Sequence, residues 1–134
     1  MTQCDLSGCG SFAEIIDTMK AAAQKRKLTE DSWIIGCNYD QNFLKEKRHP
    51  DRYVLDEISR TNPVLLIHAS SHMGVTNSRG LKIAQIDEHT EDCAGGKYGR
   101  VENTQIPNGY MEEKAFIEFQ AHLPMTSMEE LMYL

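Results

Sequence analysis

The sequence lacks the features that mark membrane-spanning, secreted or nucleic-acid-binding proteins. Its longest apolar run, residues 64–67, is far shorter than the roughly 20 residues that span a bilayer. The N-terminus has neither the basic start nor the apolar stretch of a signal peptide. A formal net charge of −6 gives the long-range field the wrong sign for binding nucleic acid or an anionic membrane. We therefore predict neither a membrane nor a nucleic acid as a partner.

Cysteine pairs and the familiar catalytic motifs are also missing. The cysteines are scattered without a CxxC pair, so a disulfide scaffold is not expected, and a reduced, cytoplasmic chain is the default. The sequence contains no His-x-His, HExxH, GxSxG, P-loop or GxGxxG pattern. The pattern alone assigns no role to the cysteines, which are Cys4, Cys9, Cys37 and Cys93.

What remains is the composition of one globular domain. The chain has 134 residues, of which 40% are hydrophobic and 25% charged, enough for a single core. Ser11-x-x-Glu14 is a capping box and opens the clearest helix, which we expect to end before Leu28. Apolar, β-rich runs predict strands, and further apolar periodicity predicts short helices. The strands are predicted at 32–37, 64–68, 97–101 and 106–111, the last two as a hairpin. The helices are predicted at 51–58 and 112–120, and a third runs through Ala84 after a cap at Asn77 or Thr76.

These elements predict an α+β fold in which a small mixed or antiparallel sheet packs against helices. Ser127-x-x-Glu130 is a second capping box, but the helix that it opens over residues 127–134 is barely two turns long. Isolated helices of that length are marginal in water. We therefore expect residues 1–134 to form a single α+β domain that is a piece of a longer natural chain.

The residues by themselves suggest a ligand-facing turn at 70–78. His72 follows a buried strand in a turn of small residues, where a side chain can be presented to a ligand. Asp40 and Gln41 follow the preceding strand in the same way, although an ordinary polar turn also explains them. A purely structural role is open for each of these residues. Cys37 or Cys93 would act as a nucleophile only if a base lies nearby.

Sequence blocks in a particular order add a family resemblance. The blocks are WIIGCNYDQ (33–41), a Pro-x-Arg-x-x-Leu-Asp segment (50–56), NPVLLIHASSHMGVTNSRGLKIAQI (62–86) and GGKYGRVENTQIPNGYMEE (95–113). Together they resemble amidohydrolase family 3, and they occur in that family's order. The chain departs from the pattern at residues 37–39, where Gly-x-Trp is more typical, and at Val101, where the family has Asp.

The resemblance implies an insertion domain of a TIM-barrel hydrolase whose metal, usually zinc, is held by residues absent from this chain. In the intact enzyme a metal-activated hydroxide would attack an amide-like C–N bond of a small-molecule substrate. The resemblance further implies that His72 reaches the substrate as an electrophile or hydrogen-bond donor, with Asp40, Gln41 and Asn77 as substrate-binding residues. Glu113 would stand near or on the metal, or else be a helix-start acid favoured by the helix dipole.

One ligand is too few to fix zinc, so the isolated segment is expected to hold no cofactor and to be inactive. The segment would then serve as a lid or pocket wall. The alternative is a free-standing binding or dimerisation module that uses its exposed apolar ends, in particular Met125, Met128, Leu131 and Met132. Flanking sequence discriminates between the two hypotheses.

Overall fold

A computed structural model describes residues 3–124 of the chain. The predicted helix at 127–134 and the apolar residues from Met125 onward lie outside the described residues. The described strands are β1 (Gln3–Asp5), β2 (Ile34–Tyr39), β3 (Val64–His68), β4 (Met73–Thr76), β5 (Gly96–Arg100) and β6 (Pro107–Glu113). The helices are α1 (Phe12–Gln24), α2 (Arg52–Asp56), α3 (Ser78–Ile83) and α4 (Lys114–Phe119), with short 3₁₀ turns at Gln41–Phe43 and Gln120–His122.

The strands form one six-stranded mixed sheet in the order β1-β2-β3-β4-β6-β5. β1, β2 and β3 run parallel, whereas β4, β6 and β5 join by antiparallel pairing. β3 is buried along its whole length, as expected for a strand covered on both faces. The predicted α+β fold with a mixed sheet is confirmed.

Each face of the sheet has its own apolar cluster because neighbouring residues of a strand point to opposite faces. Val64 and Leu66 pack beneath α1 and α2 with Ile15, Met19 and Leu55. The other face carries Leu65 and Ile67 from the same strand. It is covered from α4, α3 and the segment that follows α3, and its members include Phe116, Phe119, Leu81, Ile86 and Met111.

Local signals place most helix starts. The Ser11 hydroxyl accepts a hydrogen bond from the Glu14 N–H at 3.1 Å, which confirms the predicted cap of α1. The Glu14 carboxylate reaches back one residue further than a standard capping box, to the Gly10 N–H at 3.1 Å. Asp51 caps α2 through the N–H groups of Tyr53 and Val54.

Two predictions about local structure are wrong. Residues 73–76, predicted as part of a turn, form the central strand β4, which pairs with both β3 and β6. Glu112 and Glu113, predicted at the head of a helix, are the last residues of β6, and the helix begins only at Lys114. In both places long-range strand pairing outweighs the local polar and turn-forming pattern.

Candidate functional site

The predicted site residues divide between the two ends of the sheet. β2 and β3 end at the edge where β4 begins, because β4 runs antiparallel to β3. β6 ends at the same edge, since Met73 pairs with Glu112. Residues that end, follow or directly precede these strands are thereby collected along one edge, which we call the His72 edge: Asp40, Gln41, His68, His72 and Glu113.

His72 and Glu113 form the most exposed polar pair of this edge. The Glu113 N–H donates to the His72 carbonyl at 2.8 Å, so the two backbones are joined directly. Their side chains also meet, with 3.5 Å between His72 Nδ1 and Glu113 Oε2. The side chains remain 69% and 55% exposed, respectively. An imidazole and a carboxylate are therefore held side by side, and both side chains are accessible to a ligand at this edge.

The backbone that presents this pair is strained at two positions. Ser71, immediately before His72, has φ +65°, and Glu113 has φ +55° and ψ −127°. Residues with side chains avoid positive φ, and at ψ values such as that of Glu113 glycine is strongly preferred. The Lys114 N–H donates to the Gly95 carbonyl at 3.1 Å and helps hold the chain at this point. Strain of this kind is found preferentially at functional sites.

Asp40 and Gln41 stand behind the His72 turn. The Asp40 carboxylate accepts from the Asn42 N–H at 2.9 Å and so caps the 3₁₀ turn that follows β2. The Gln41 side chain contacts His68, with 2.7 Å between Gln41 Oε1 and His68 Nε2. Asp40 Oδ1 lies 3.9 Å from the same ring nitrogen. Both predicted binding residues thus lie beside a buried histidine that was not among the predicted site residues.

A group of aromatic rings lies beneath His68. Tyr39 OH is 3.0 Å from His49 Nδ1, and the His49 ring lies over that of Tyr110 with centroids 4.6 Å apart. Tyr39 and His68 meet edge to face at 5.1 Å. These residues come from positions 39, 49, 68 and 110, and no spacing rule connects positions so far apart. Sequence reasoning therefore missed the group.

Burial decides how this group ionises. It raises the pKa of Tyr39 far above the ordinary range, with the neighbouring Tyr110 and Asp40 adding to the effect. Burial also lowers the pKa of His49, helped by His68 and opposed by Asp40. The pKa of His68 is lowered for the same reason, again against the opposing effect of Asp40. At neutral pH both imidazoles are uncharged and the phenol keeps its proton.

Asn77 lies at the opposite end of the sheet, beyond the end of β4. Its side chain is fully buried. The amide oxygen accepts from the N–H groups of Val64 and Gly80 at 3.0 and 2.9 Å. The amide nitrogen donates to the carbonyls of Ser59 and Asn62 at 2.8 and 2.9 Å. All of its hydrogen-bonding capacity is used within the fold, while the substrate-binding role predicted for it stays a prediction.

Other residues from the resemblance blocks gather around Asn77. Ser78 donates its hydroxyl to Asp56 at 2.6 Å and its N–H to the same carboxylate at 2.9 Å. Arg52 donates to the Ser78 hydroxyl at 2.9 Å and to the Pro107 carbonyl at 3.1 Å. Arg52, Asp56, Asn77 and Ser78 therefore tie α2, α3 and the starts of β3 and β6 together, and we call this set the Asn77 edge.

The cysteines do not assemble a nucleophilic site. Cys37 is buried in the apolar cluster, and its pKa is raised by burial, then by Asp5 and Cys4, which disfavours a thiolate. Cys93 packs against the same cluster. Within residues 3–124, His72 makes no hydrogen bond to either thiol, and its side chain instead meets that of Glu113.

The described part of the chain does not complete a metal site. No group of three or more His, Cys, Asp or Glu side chains in it is arranged to hold an ion. His72 and Glu113 supply two donor groups side by side, but zinc sites use at least three protein ligands. Likewise, none of the helices within residues 3–124 has the length and apolar character needed to cross a membrane.

Comparison with known proteins places the chain in a family. The sequence profile of the amidohydrolase family (Amidohydro_3) matches residues 1–134. The chain belongs to the amidohydrolase family, as the resemblance predicted.

Curated relatives carry several functional descriptions. The chain is 31% identical to an N-substituted formamide deformylase of Arthrobacter pascens over 84% of its own length and 20% of that protein. It is 36% identical to Protein LONG AFTER FAR-RED 3 of Arabidopsis thaliana, covering 86% of this chain and 19% of that protein. The chain therefore spans about a fifth of the length of these relatives.

Solved structures agree with the fold. A crystal structure described as an uncharacterized metal-dependent hydrolase from Pyrococcus furiosus matches 90% of this chain and 21% of that chain, at a TM-score of 0.62 and 25% identity. A second, from Pyrococcus horikoshii and described in the same way, has a TM-score of 0.62 at 21% identity and covers 90% and 20%. The sheet and its helices thus correspond to a segment of larger proteins.

Proposed function

We propose that this chain is a segment of a metal-dependent hydrolase that cleaves amide-like C–N bonds, and that the His72 edge forms one wall of its substrate pocket. In this proposal the segment supplies binding and positioning groups and is inactive by itself. The reaction centre and the metal, which we expect to be zinc, belong to other parts of the parent enzyme. A cytoplasmic location remains a prediction.

The observation that carries the proposal is the convergence of Asp40, Gln41, His72 and Glu113 on one edge. An edge at which several strands end is where α/β sheets commonly place ligand-binding residues. The side chains of His72 and Glu113 are exposed and lie 3.5 Å apart. Ser71, directly before His72, and Glu113 both have a positive φ. This conformation costs stability, and such strain is typical of residues that have a function. The family match supports the reaction class, and the deformylase relative supports a C–N bond as the target.

Each residue has a defined part in this pocket. The His72 imidazole would donate a hydrogen bond to the substrate carbonyl and favour the charge that develops there during attack on the C–N bond. Glu113 would orient His72 through the contact between Nδ1 and Oε2. Asp40 and Gln41 would bind the polar part of the substrate.

The proposal is tested in a full-length enzyme that contains this segment. We expect His72→Ala to lower kcat/KM for an N-substituted formamide by about 100-fold, the range in which a single positioned donor acts. His89→Ala is the matched control, because His89 is also exposed beside a glutamate, Glu88, at 3.6 Å, but lies away from the edge. Equal activity of both variants and the wild type would refute a role for His72.

Glu113 is tested with its own control. Glu113→Gln keeps the shape of the side chain and removes its charge, and we expect kcat to fall while Glu88→Gln leaves it unchanged.

The isolated chain is tested separately by metal analysis after chelation, refilling with zinc and dialysis. We expect less than one retained zinc per chain, and stoichiometric retention would contradict the view that the metal is held elsewhere.

The second candidate is a binding or dimerisation module. Large apolar side chains that are exposed on the described surface include Phe43 and Ile117, at 73% and 65%. Sedimentation of the isolated chain across a concentration series discriminates between the two functions. A stable dimer together with unaffected hydrolysis in the His72 variant would favour the module.

A further inference from the structure

The protonation state of His68 follows from its surroundings. The backbone N–H of Ser70 donates to His68 Nδ1 at 3.0 Å, so this ring nitrogen must carry a lone pair. His68 is only 9% exposed. A neutral imidazole with an accepting Nδ1 carries its single proton on Nε2. The Nε2–H group therefore has to donate, and its nearest acceptor is Gln41 Oε1, 2.7 Å away.

This tautomer decides how Gln41 is oriented. Because the amide oxygen of Gln41 accepts from His68, its NH₂ group points away from the ring. Gln41 is half-buried. Among residues 3–124, no group accepts a hydrogen bond from its Nε2 atom. Within the described residues, the two amide hydrogens of Gln41 are thus left without an acceptor. The Asp40 carboxylate nearby would repel an anion at this place but not a neutral oxygen.

His68 is also connected to the turn that presents His72. Ser70, which donates to His68 through its N–H, accepts the N–H of His72 on its hydroxyl oxygen at 3.2 Å. The Ser70 hydroxyl itself lies 3.0 Å from His68 Nδ1. One buried imidazole therefore contacts both predicted parts of the site, with Gln41 on one ring nitrogen and the His72 turn on the other.

We propose that His68 is a positioning residue that holds Gln41 and the His72 turn in register, so that the Gln41 amide hydrogens bind a neutral acceptor oxygen of the ligand. The inference deepens the proposed function and rests on it for the identity of the pocket. The positioning role of His68 can be tested without measuring the reaction. Its hydrogen bonds to Gln41 and to the Ser70 N–H can be followed in the chain alone.

Acidification gives a further consequence of this arrangement. The groups that face His68 are Asp40 and Tyr39 from β2 and its end, and His49 from the following loop, with Tyr110 of β6 beyond His49. Protonation of His68 would place a hydrogen on Nδ1 opposite the Ser70 N–H and remove that acceptor. The Nε2–H bond to Gln41 would survive. The His72 turn should therefore respond to protonation of His68, whereas the hydrogen bond to Gln41 should remain.

The test uses NMR of the ¹⁵N-labelled chain and two complementary variants. In wild type at pH 7.5 we expect His68 as the Nε2–H tautomer. His68→Asn keeps an acceptor near Nδ1 but loses the donor to Gln41, so the Gln41 NH₂ signals should move while the His72 N–H signal stays. His68→Gln keeps a donor near Nε2 but loses the acceptor, and the opposite pattern is expected. His89→Gln is the control and should move neither signal.

Probe molecules test the ligand class. Acetamide, which offers a neutral carbonyl oxygen, should shift the Gln41 NH₂ signals of wild type more than acetate does. In His68→Asn the apparent acetamide affinity should fall about fivefold, the equivalent of one neutral hydrogen bond. A larger response to acetate, or no response to either probe, would overturn the assigned ligand class.

The outcomes that overturn the positioning role are equally defined. An Nδ1–H tautomer in wild type at pH 7.5, or identical changes in the two His68 variants, would refute it. Either result would leave hydrolysis by the parent enzyme and its dependence on His72 untouched. Conversely, full activity of a His72 variant would refute the proposed function while leaving the His68 tautomer as measured.

Discussion

The two ends of the sheet use the same kinds of residue in opposite ways. At the Asn77 edge, the polar side chains of Arg52, Asp56, Asn77 and Ser78 are joined to one another or to neighbouring backbone. At the His72 edge, His72 and Glu113 stay more than half exposed, and the Gln41 NH₂ group has no acceptor within residues 3–124. The first arrangement stabilises the fold, whereas the second leaves hydrogen-bonding capacity for a ligand. Residues in the same family blocks therefore serve stability at one edge and, we propose, recognition at the other.

The largest effect is expected from Asn77→Ala. Truncation leaves the N–H groups of Val64 and Gly80 and the carbonyls of Ser59 and Asn62 without their side-chain partner. With about 1–3 kcal/mol for each buried group left unsatisfied, and some replacement by water, we expect the free energy of unfolding to fall by about 4 kcal/mol. Urea denaturation measures it. Asn42→Ala, at an exposed residue, is the control and should stay within about 0.5 kcal/mol.

A loss below about 1 kcal/mol in Asn77→Ala would show that water replaces the amide at little cost. The Asn77 edge would then be less of a structural anchor than its geometry indicates, and the contrast between the two edges would weaken.

The next effect is expected from Asp56→Ala, which removes both acceptors of Ser78. Hydrogen bonds to a charged group contribute about 1.5–3 kcal/mol, and this carboxylate is partly solvated, so we expect a loss of about 2 kcal/mol in total. Thermal and urea unfolding measure it, with Asp31→Ala, at an exposed loop position, as control. If both variants unfold at the same urea concentration, the Ser78 contacts do not stabilise the fold.

A gain rather than a loss is expected at the His72 edge. Glycine adopts a positive φ without the steric strain that a side chain causes there. Ser71→Gly and Glu113→Gly should therefore each raise the free energy of unfolding by up to about 1 kcal/mol. Activity of the parent enzyme should fall only in Glu113→Gly, because only that change removes a carboxylate of the pocket. Destabilisation by Ser71→Gly would argue that this turn stores no strain.

The smallest expected effect is that of pH. His49 and His68 have pKa values in the folded chain below the ordinary 6.5, chiefly because of burial. The unfolded chain therefore takes up protons first as pH falls below about 6.5, and stability that is fully present above that pH is lost progressively below it. Urea denaturation at pH 7.5 and pH 5.5 measures the loss, in a range where most carboxylates stay ionised. His49→Gln should make the dependence shallower, and an unchanged slope would count against a buried neutral His49.

Much of the fold could be predicted from local sequence because the signals are local. The β3 strand at Val64–His68 has the predicted bounds, since a short, continuous apolar run is buried on both faces. The caps at Ser11 and Asn77 follow from side-chain hydrogen bonds to the N–H of a residue three positions on. The hairpin of β5 and β6 and the membership of the amidohydrolase family also follow from the sequence.

The sequence by itself thus determined the class of fold, the main strands and helix caps, the family, and which residues are candidates for chemistry. Only the tertiary structure decided that residues 73–76 form a central strand and that Glu113 ends β6. It also decided that Asn77 lies at the far edge from His72 and that His68 meets Gln41. The physical reason is that a cap or an apolar run is stabilised by neighbours in the chain. Strand order and the meeting of positions 41 and 68 depend instead on pairing across the sheet, which no short window of sequence contains.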